Sequence, residues 1–188
     1  MEINQYILDT TAGMDQVSTN EPWPPWLMPI AQLNRNLGSM PLVGSNSAEL
    51  IADYAESLRA MSATIDAATR SVHVEFYIMS VDEETAPFFD ALARAVARGV
   101  TVRVLFDHVA SVRVRGYRRM LRRLDAIGAQ WHRMLPVRPW LGQYQRPDLR
   151  NHRKFLIVDG RVAFTGSQNL IERTYHRGPH WSGRLEWK

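Results

Sequence analysis

Between Tyr54 and Ala68 the apolar residues Leu58, Met61 and Ile65 recur at helical spacing, and the run SVHVEFYIM that follows, residues 71–79, is β-rich and apolar enough for a buried strand. The alternation then repeats. TAPFFDALARAVARG reads as a helix closed by Gly99, TVRVLFD as a strand, RGYRRMLRRLDAIG as a helix closed by Gly128, and AQWHRML as a third strand. Three helix-strand alternations predict an α/β sheet with helices packed on its faces. KFLIV and RVAFT are two apolar runs joined by Asp159-Gly160, a dipeptide that favours the tight turn of a β-hairpin. Upstream, PLVG and AELIA flank the turn GSNS and predict a short hairpin. EPWPPWLMP, residues 21–29, holds four prolines and two tryptophans and predicts an extended arm before the domain proper.

Composition limits the chemistry. With 188 residues and 45% hydrophobic content the chain is long enough for one domain with a substantial core. The absence of cysteine excludes disulfides, thiolate nucleophiles and sulfur-based zinc sites. No stretch approaches a membrane span, and MEINQYILDTTAGMDQ lacks the basic start and apolar centre of a signal peptide, so a soluble chain is expected. The net charge of +4 is unevenly spread: residues 1–112 carry six Arg against fourteen acids, and residues 113–153 carry eleven Arg against Asp125 and Asp148. The second block makes a positive surface suited to polyanions or anionic lipid head groups, although RGYRRMLRRLDAIG alone reads equally well as a solvated Arg-rich helix.

The two polar ends of the Asp-Gly hairpin carry the chemistry. Side chains two apart on a strand share a face, so His152 and Lys154 project to the same side, and the paired strand returns Ser167 and Asn169 beside them. Imidazole can act as nucleophile or proton carrier near neutral pH. An ammonium with hydroxyl and amide groups suits a phosphoryl group gaining charge in its transition state. Lys154 is also an exception in composition, because the chain has 21 Arg and only two Lys. A compact ammonium is not interchangeable with a planar guanidinium at a close-packed phosphate.

His152, Lys154, Asp159, Gly166, Ser167 and Asn169 stand as H-x-K-x4-D-x6-G-S-x-N, which resembles the HKD motif of the phospholipase D superfamily. Around the motif, LNRNLGSMPLVGSN, HVEFYIM, VTVRVLFDHVAS, GYRRMLRRLDAIGAQWHRMLP and RPDLRNHRKFLIVDGRVAFTGSQNLIE resemble, in that order, the first catalytic half of bacterial cardiolipin synthases. The resemblance implies an α/β/α sandwich of phospholipase D type holding one HKD half. It implies residues 1–31 as an arm or linker after a membrane anchor, and 32–188 as the phospholipase D-like domain. The implied activity is phosphatidyl transfer between phospholipids, of phosphatidylglycerol type, through a phosphohistidine and with no metal or other cofactor. The implied place is the cytoplasmic side of the cell membrane.

Carried over residue by residue, the family chemistry makes His152 either the nucleophile or the acid that protonates the leaving alcohol. Lys154, Ser167 and Asn169 would hold phosphate oxygens, and Asp159, counted in the motif, would stabilise the hairpin. Glu75 is a lone acid among apolar neighbours, read either as lining the site or as a structural acid at a strand end. The family joins two HKD motifs across a pseudo-twofold axis and this sequence has one, so the resemblance implies a partial, C-terminally truncated enzyme. Its second HKD half would come from the missing region or from a homodimer partner. Partners are thus a phospholipid, an anionic membrane surface and a second HKD half, with nucleic acid disfavoured. Two other classes stand beside this reading: a homodimeric HKD phosphodiesterase or nuclease using the basic segment, and an inert lipid-binding fragment. His176 and His180 are separated by Arg-Gly-Pro and read as loop residues, while His73, His108 and His132 read as structural. Trp23 and Trp26 suit either a membrane interface or a packed arm.

Overall fold

A computed structural model describes residues 24–38, 46–144 and 148–175, and the chain falls into two units, up to Leu50 and from Ile51 onward. In the first unit, helix α1 spans Leu27–Gly38. It starts inside the proline-rich stretch, where the sequence predicts an extended arm. Pro29 is the third residue of the helix, and its missing N–H belongs to a turn whose donors have no helical partner in any case. PLVG lies outside the described residues, and residues 46–53, which include AELIA, have no regular structure, so no strand forms there.

In the second unit, α2 (Tyr54–Asp66) begins where the Asp53 carboxylate accepts from the Glu56 N–H at 2.8 Å, and it buries Leu58, Met61 and Ile65 as their spacing predicts. Strands β1 (Ser71–Phe76), β2 (Thr101–Asp107) and β3 (Gln130–Met134) alternate with α3 (Ala86–Ala97) and α5 (Tyr117–Ile127). Gly99 and Gly128 follow those helices at φ of 86° and 75°, the left-handed conformation that ends a helix. A short helix α4 (His108–Val112), not foreseen, starts on the Asp107 side chain, which accepts from the Ala110 N–H at 2.8 Å. Strands β4 (Lys154–Val158) and β5 (Val162–Thr165) form the hairpin, with Asp159 and Gly160 at φ of 55° and 67°.

The five strands make one mixed sheet in the order β3-β2-β1-β4-β5. β1, β2 and β3 are parallel, and β4 runs antiparallel to both β1 and β5. α3 packs against both α2 and α5, so the three long helices form a layer over the sheet. The core lies between, built from Val72, Val74, Phe76, Val104, Phe106 and Leu156 on the strands and Phe88, Phe89 and Leu92 on α3. Phe76 meets Phe88 edge-on at 6.4 Å between ring centroids. Arg103 and Leu105, alternating with the core residues of β2, are exposed. β1 stops at Phe76 rather than at Met79, because beyond it the chain turns away and Met79 forms a single parallel bridge with Leu170.

This topology prepares a site. The parallel strands end at Phe76, Asp107 and Met134 on one edge, where β4 begins opposite Phe76 and β5 finishes opposite Phe155. Loops from five strands meet there, at the carboxyl ends where open α/β sheets place their ligands.

Candidate active site

Lys154 opens β4 opposite Phe76 and is buried. Its Nζ donates to the His152 carbonyl at 2.6 Å, lies 3.0 Å from His152 Nδ1 and stands 5.3 Å from the centroid of the Tyr77 ring. Burial lowers the pKa of the ammonium, since a charge leaving water is disfavoured. His152 is exposed, with its ring centroid 4.0 Å from that of Tyr77. Imidazole, phenol and ammonium therefore form one cluster. When the ammonium donates to Nδ1, a neutral ring carries its proton on Nε2.

The segment leading into His152 is anchored to two strand ends. Arg150 makes a buried ion pair with Asp107 at 2.7 Å and donates to the Leu135 carbonyl at 2.8 Å, and its Nη1 has no hydrogen-bond partner among the described residues. The Asn151 Nδ2 donates to Glu75 Oε1 at 2.8 Å, and the Asn151 Oδ1 accepts from the Arg153 N–H at 3.0 Å. Glu75 is buried at the end of β1 and reaches the motif through Asn151. Sequence reasoning did not name Tyr77, Arg150, Asn151 or Asp107. Tyr77 stands two after Glu75, and Arg150 and Asn151 immediately precede His152, but the partners of both Arg150 and Asn151 lie on distant strands.

After β5 the chain passes through Gly166 and the exposed Ser167 to Asn169. The Asn169 Oδ1 accepts from the Ile78 N–H at 3.2 Å, one residue from Tyr77, and its Nδ2 donates to the Tyr175 hydroxyl at 3.1 Å. The Tyr54 hydroxyl donates to the Ile171 carbonyl at 2.7 Å and accepts from the Ile171 N–H at 3.2 Å. Burial raises the pKa of that phenol and keeps it protonated. Asp82 Oδ2 accepts from the Glu172 N–H at 2.8 Å, and Arg173 pairs with Glu84 at 2.9 Å. Asn169 is thus held beside the loop that carries Tyr77.

Asp159 lies at the other end of β4, roughly 16 Å along an extended strand from Lys154. Its carboxylate accepts from the backbone N–H groups of Thr69, Arg70 and Ser71 and from the Thr69 hydroxyl, at 2.8 to 2.9 Å. Those bonds hold its pKa well below the usual carboxylate range, the Ser71 N–H first among them. It clamps the turn between α2 and β1 and does not meet His152. His108 opens α4, next to the Asp107 that pairs with Arg150. Its Nδ1 accepts from the Val137 N–H at 3.1 Å, and its pKa is lowered by burial first and then by Arg138, Arg133 and Arg150. His176, His180 and Trp23 lie outside the described residues, and Trp26 is exposed just before α1. Among the described residues no three His, Cys, Asp or Glu side chains are grouped to hold a metal ion, and no helix is long and apolar enough to cross a membrane.

The chain has relatives among known proteins. Cardiolipin synthase A of Pseudomonas entomophila is 35% identical over 147 residues, 78% of this chain and 30% of that protein. Cardiolipin synthase A of Proteus mirabilis is 30% identical over 152 residues, 79% of this chain and 30% of that protein. The chain thus spans about a third or less of the length of these relatives. A solved phospholipase D family member, Nuc from Salmonella typhimurium, aligns with a TM-score of 0.49 and 21% identity over 64% of this chain and 68% of that one. The family model described as cardiolipin synthase, PLD-like domain, matches residues 61–178, and the chain belongs to that family.

Proposed function

We propose that this chain is one catalytic half of a cardiolipin synthase-type phosphatidyltransferase, acting on phosphatidylglycerol-type lipid at the cytoplasmic face of an anionic membrane. The observation that carries the reading is the buried Lys154 ammonium set 3.0 Å from His152 Nδ1, within a chain of this family. In the first step an imidazole Nε2 attacks phosphorus, a P–N bond forms, the P–O bond to the leaving alcohol breaks, and a second imidazole gives that oxygen a proton. In the second step the hydroxyl of another lipid loses its proton to the same second imidazole and attacks phosphorus, releasing the first. Lys154 meets the phosphate oxygens as their charge grows, with Ser167 and Asn169 as hydrogen-bonding partners. Glu75, through Asn151, fixes the approach of the motif. Asp159 holds the hairpin.

Proton delivery by His152 needs the imidazolium, which carries protons on both ring nitrogens, and attack needs a neutral ring with its proton on Nδ1, so in either role the Lys154 ammonium gives up Nδ1 and turns to the phosphate. Two imidazoles are needed and this sequence carries one HKD motif, so a second HKD half, from another segment or another copy, completes the site. The test is phosphatidyl transfer and diesterase assays on the purified chain across protein concentrations, beside His152→Ala. Weak His152-dependent transfer that rises with self-association is the expected result. His152-dependent activity that stays first order in a proven monomer, or cleavage of nucleic acid in place of lipid, would overturn it.

A further inference from the structure

β3 and β4 are joined by residues 135–153, a connection much longer than the turn between β4 and β5. Part of it is braced. Arg138 and Gln143 exchange two backbone hydrogen bonds, Arg138 N–H to the Gln143 carbonyl at 2.5 Å and Gln143 N–H to the Arg138 carbonyl at 3.1 Å, around a 3₁₀ turn at Pro139–Leu141. On the return, Arg150 ties the chain to Asp107 and to the Leu135 carbonyl, on the strand edge that also carries Lys154. The loop therefore stands on the rim of the site.

Its outer residues include, beside the polar Gln143 and Asp148, four large apolar or aromatic side chains. Trp140, Tyr144 and Leu141 are 79%, 63% and 60% exposed, and Leu149 on the return is 61% exposed. A solvated loop has no need of four such side chains, and taking them out of water is favourable. Tryptophan and tyrosine, with apolar rings and polar edges, are the types that settle at a bilayer's head-group level. Arg138 at the base of the turn belongs to the block of eleven arginines, whose charge suits an anionic surface.

We infer that the 138–144 turn is a membrane-docking tip. Trp140, Leu141 and Tyr144 enter the interface of an anionic bilayer, Arg138 meets the head groups, and the site behind the loop is held at the depth of the lipid phosphates. This deepens the lipid reading above and rests on it.

The test uses sedimentation with vesicles of equal parts phosphatidylglycerol and phosphatidylcholine, and with phosphatidylcholine alone. Trp140→Ser combined with Tyr144→Ser should weaken binding to the mixed vesicles about tenfold or more, as expected for losing two interfacial anchors, with circular dichroism unchanged. That loss should persist in high salt, while the loss from Arg138→Gln should fade as salt screens the charge. Trp140 fluorescence should be quenched by brominated lipid in wild type, with the quenched component absent from Trp140→Ser. Binding unchanged by the double variant, or the double variant altering self-association in the absence of vesicles, would overturn the inference. A short-chain phosphatidylglycerol kept below its micellar concentration separates the two readings. His152-dependent turnover of that monomeric lipid with no tip-dependent vesicle binding would sink the docking tip alone, and turnover absent from all phospholipids under self-associating conditions would sink the lipid chemistry.

Discussion

The two ends of β4 carry the same motif and are built in opposite ways. At Asp159 a carboxylate on a surface turn takes four hydrogen bonds from one neighbouring turn, and every one favours its charged form. At Lys154 an ammonium is buried with no carboxylate of the described residues in contact, held by one carbonyl, an imidazole and the face of a ring. The first arrangement stabilises the fold. The second costs stability, because the charge leaves water without an opposite charge beside it. A motif read as one unit thus divides into a hydrogen-bonded clamp and a buried ammonium beside an imidazole, and the strand between them fixes their separation.

The sharpest way to break this comparison is His152→Ala. In the completed site it should lower phosphatidyl transfer by about 10²–10⁴-fold, the range for losing a positioned proton-transfer group, with little change in the urea midpoint because the ring is exposed. A midpoint that falls as far as it does for the Asp159 variant would erase the distinction.

Lys154→Met comes next, with transfer down by about 10²–10³-fold, as for one lost electrostatic donor. Stability should hold or rise, because a buried charge is replaced by an apolar chain. The pH dependence gives the sign. The folded pKa of Lys154 is lowered from 10.5, so the cost of its charge is fully present below the folded value and is relieved as pH rises through it towards 10.5. The stability gap between Lys154→Met and wild type should close over that rise, followed by chemical denaturation.

Asp159→Asn should reverse the pattern, with a lower urea midpoint and near-normal turnover per folded molecule. The wild-type contribution is present above the ordinary carboxylate value of 3.8 and is lost as pH falls below it towards the lowered folded pKa. The variant should lack that acid-dependent part. The smallest effect is Thr69→Ala, which removes one exposed side-chain bond to Asp159 and should lower the urea midpoint less than Asp159→Asn does, with no kinetic change.

Periodic features were legible in the sequence. α2, α3, α5, the three parallel strands and the Asp-Gly hairpin follow from spacing and from left-handed glycines at helix ends. Two errors came from local rules applied too strictly. Proline predicts an extended arm yet joins the first turn of a helix, and GSNS predicts a hairpin turn although residues 46–53 have no regular structure. The His152–Lys154 pair was legible because the two residues lie two apart on an extended segment. The supports were not, because Asn151 meets Glu75 across 76 residues and Arg150 meets Asp107 across 43, where no periodicity reports a contact. Asp159 was read as a hairpin stabiliser, but its acceptors' partners around Thr69, some 90 residues away, could be found only in space.

The Tyr54 clasp has a kinetic meaning. Its hydroxyl closes on Ile171 across 117 residues, and Asn169 closes on Ile78 across 91. Contacts so far apart in sequence carry a loop-closure cost that is met only after the intervening sheet has formed, so they form late in folding. The same contacts are then free to open first, exposing Asn169 and its neighbours while β1, β2 and α3 stay closed. Native-state hydrogen exchange should find the amides of Leu170 and Ile171 exchanging through a sub-global opening well below the free energy of the core strands, and Tyr54→Phe should speed those two amides selectively.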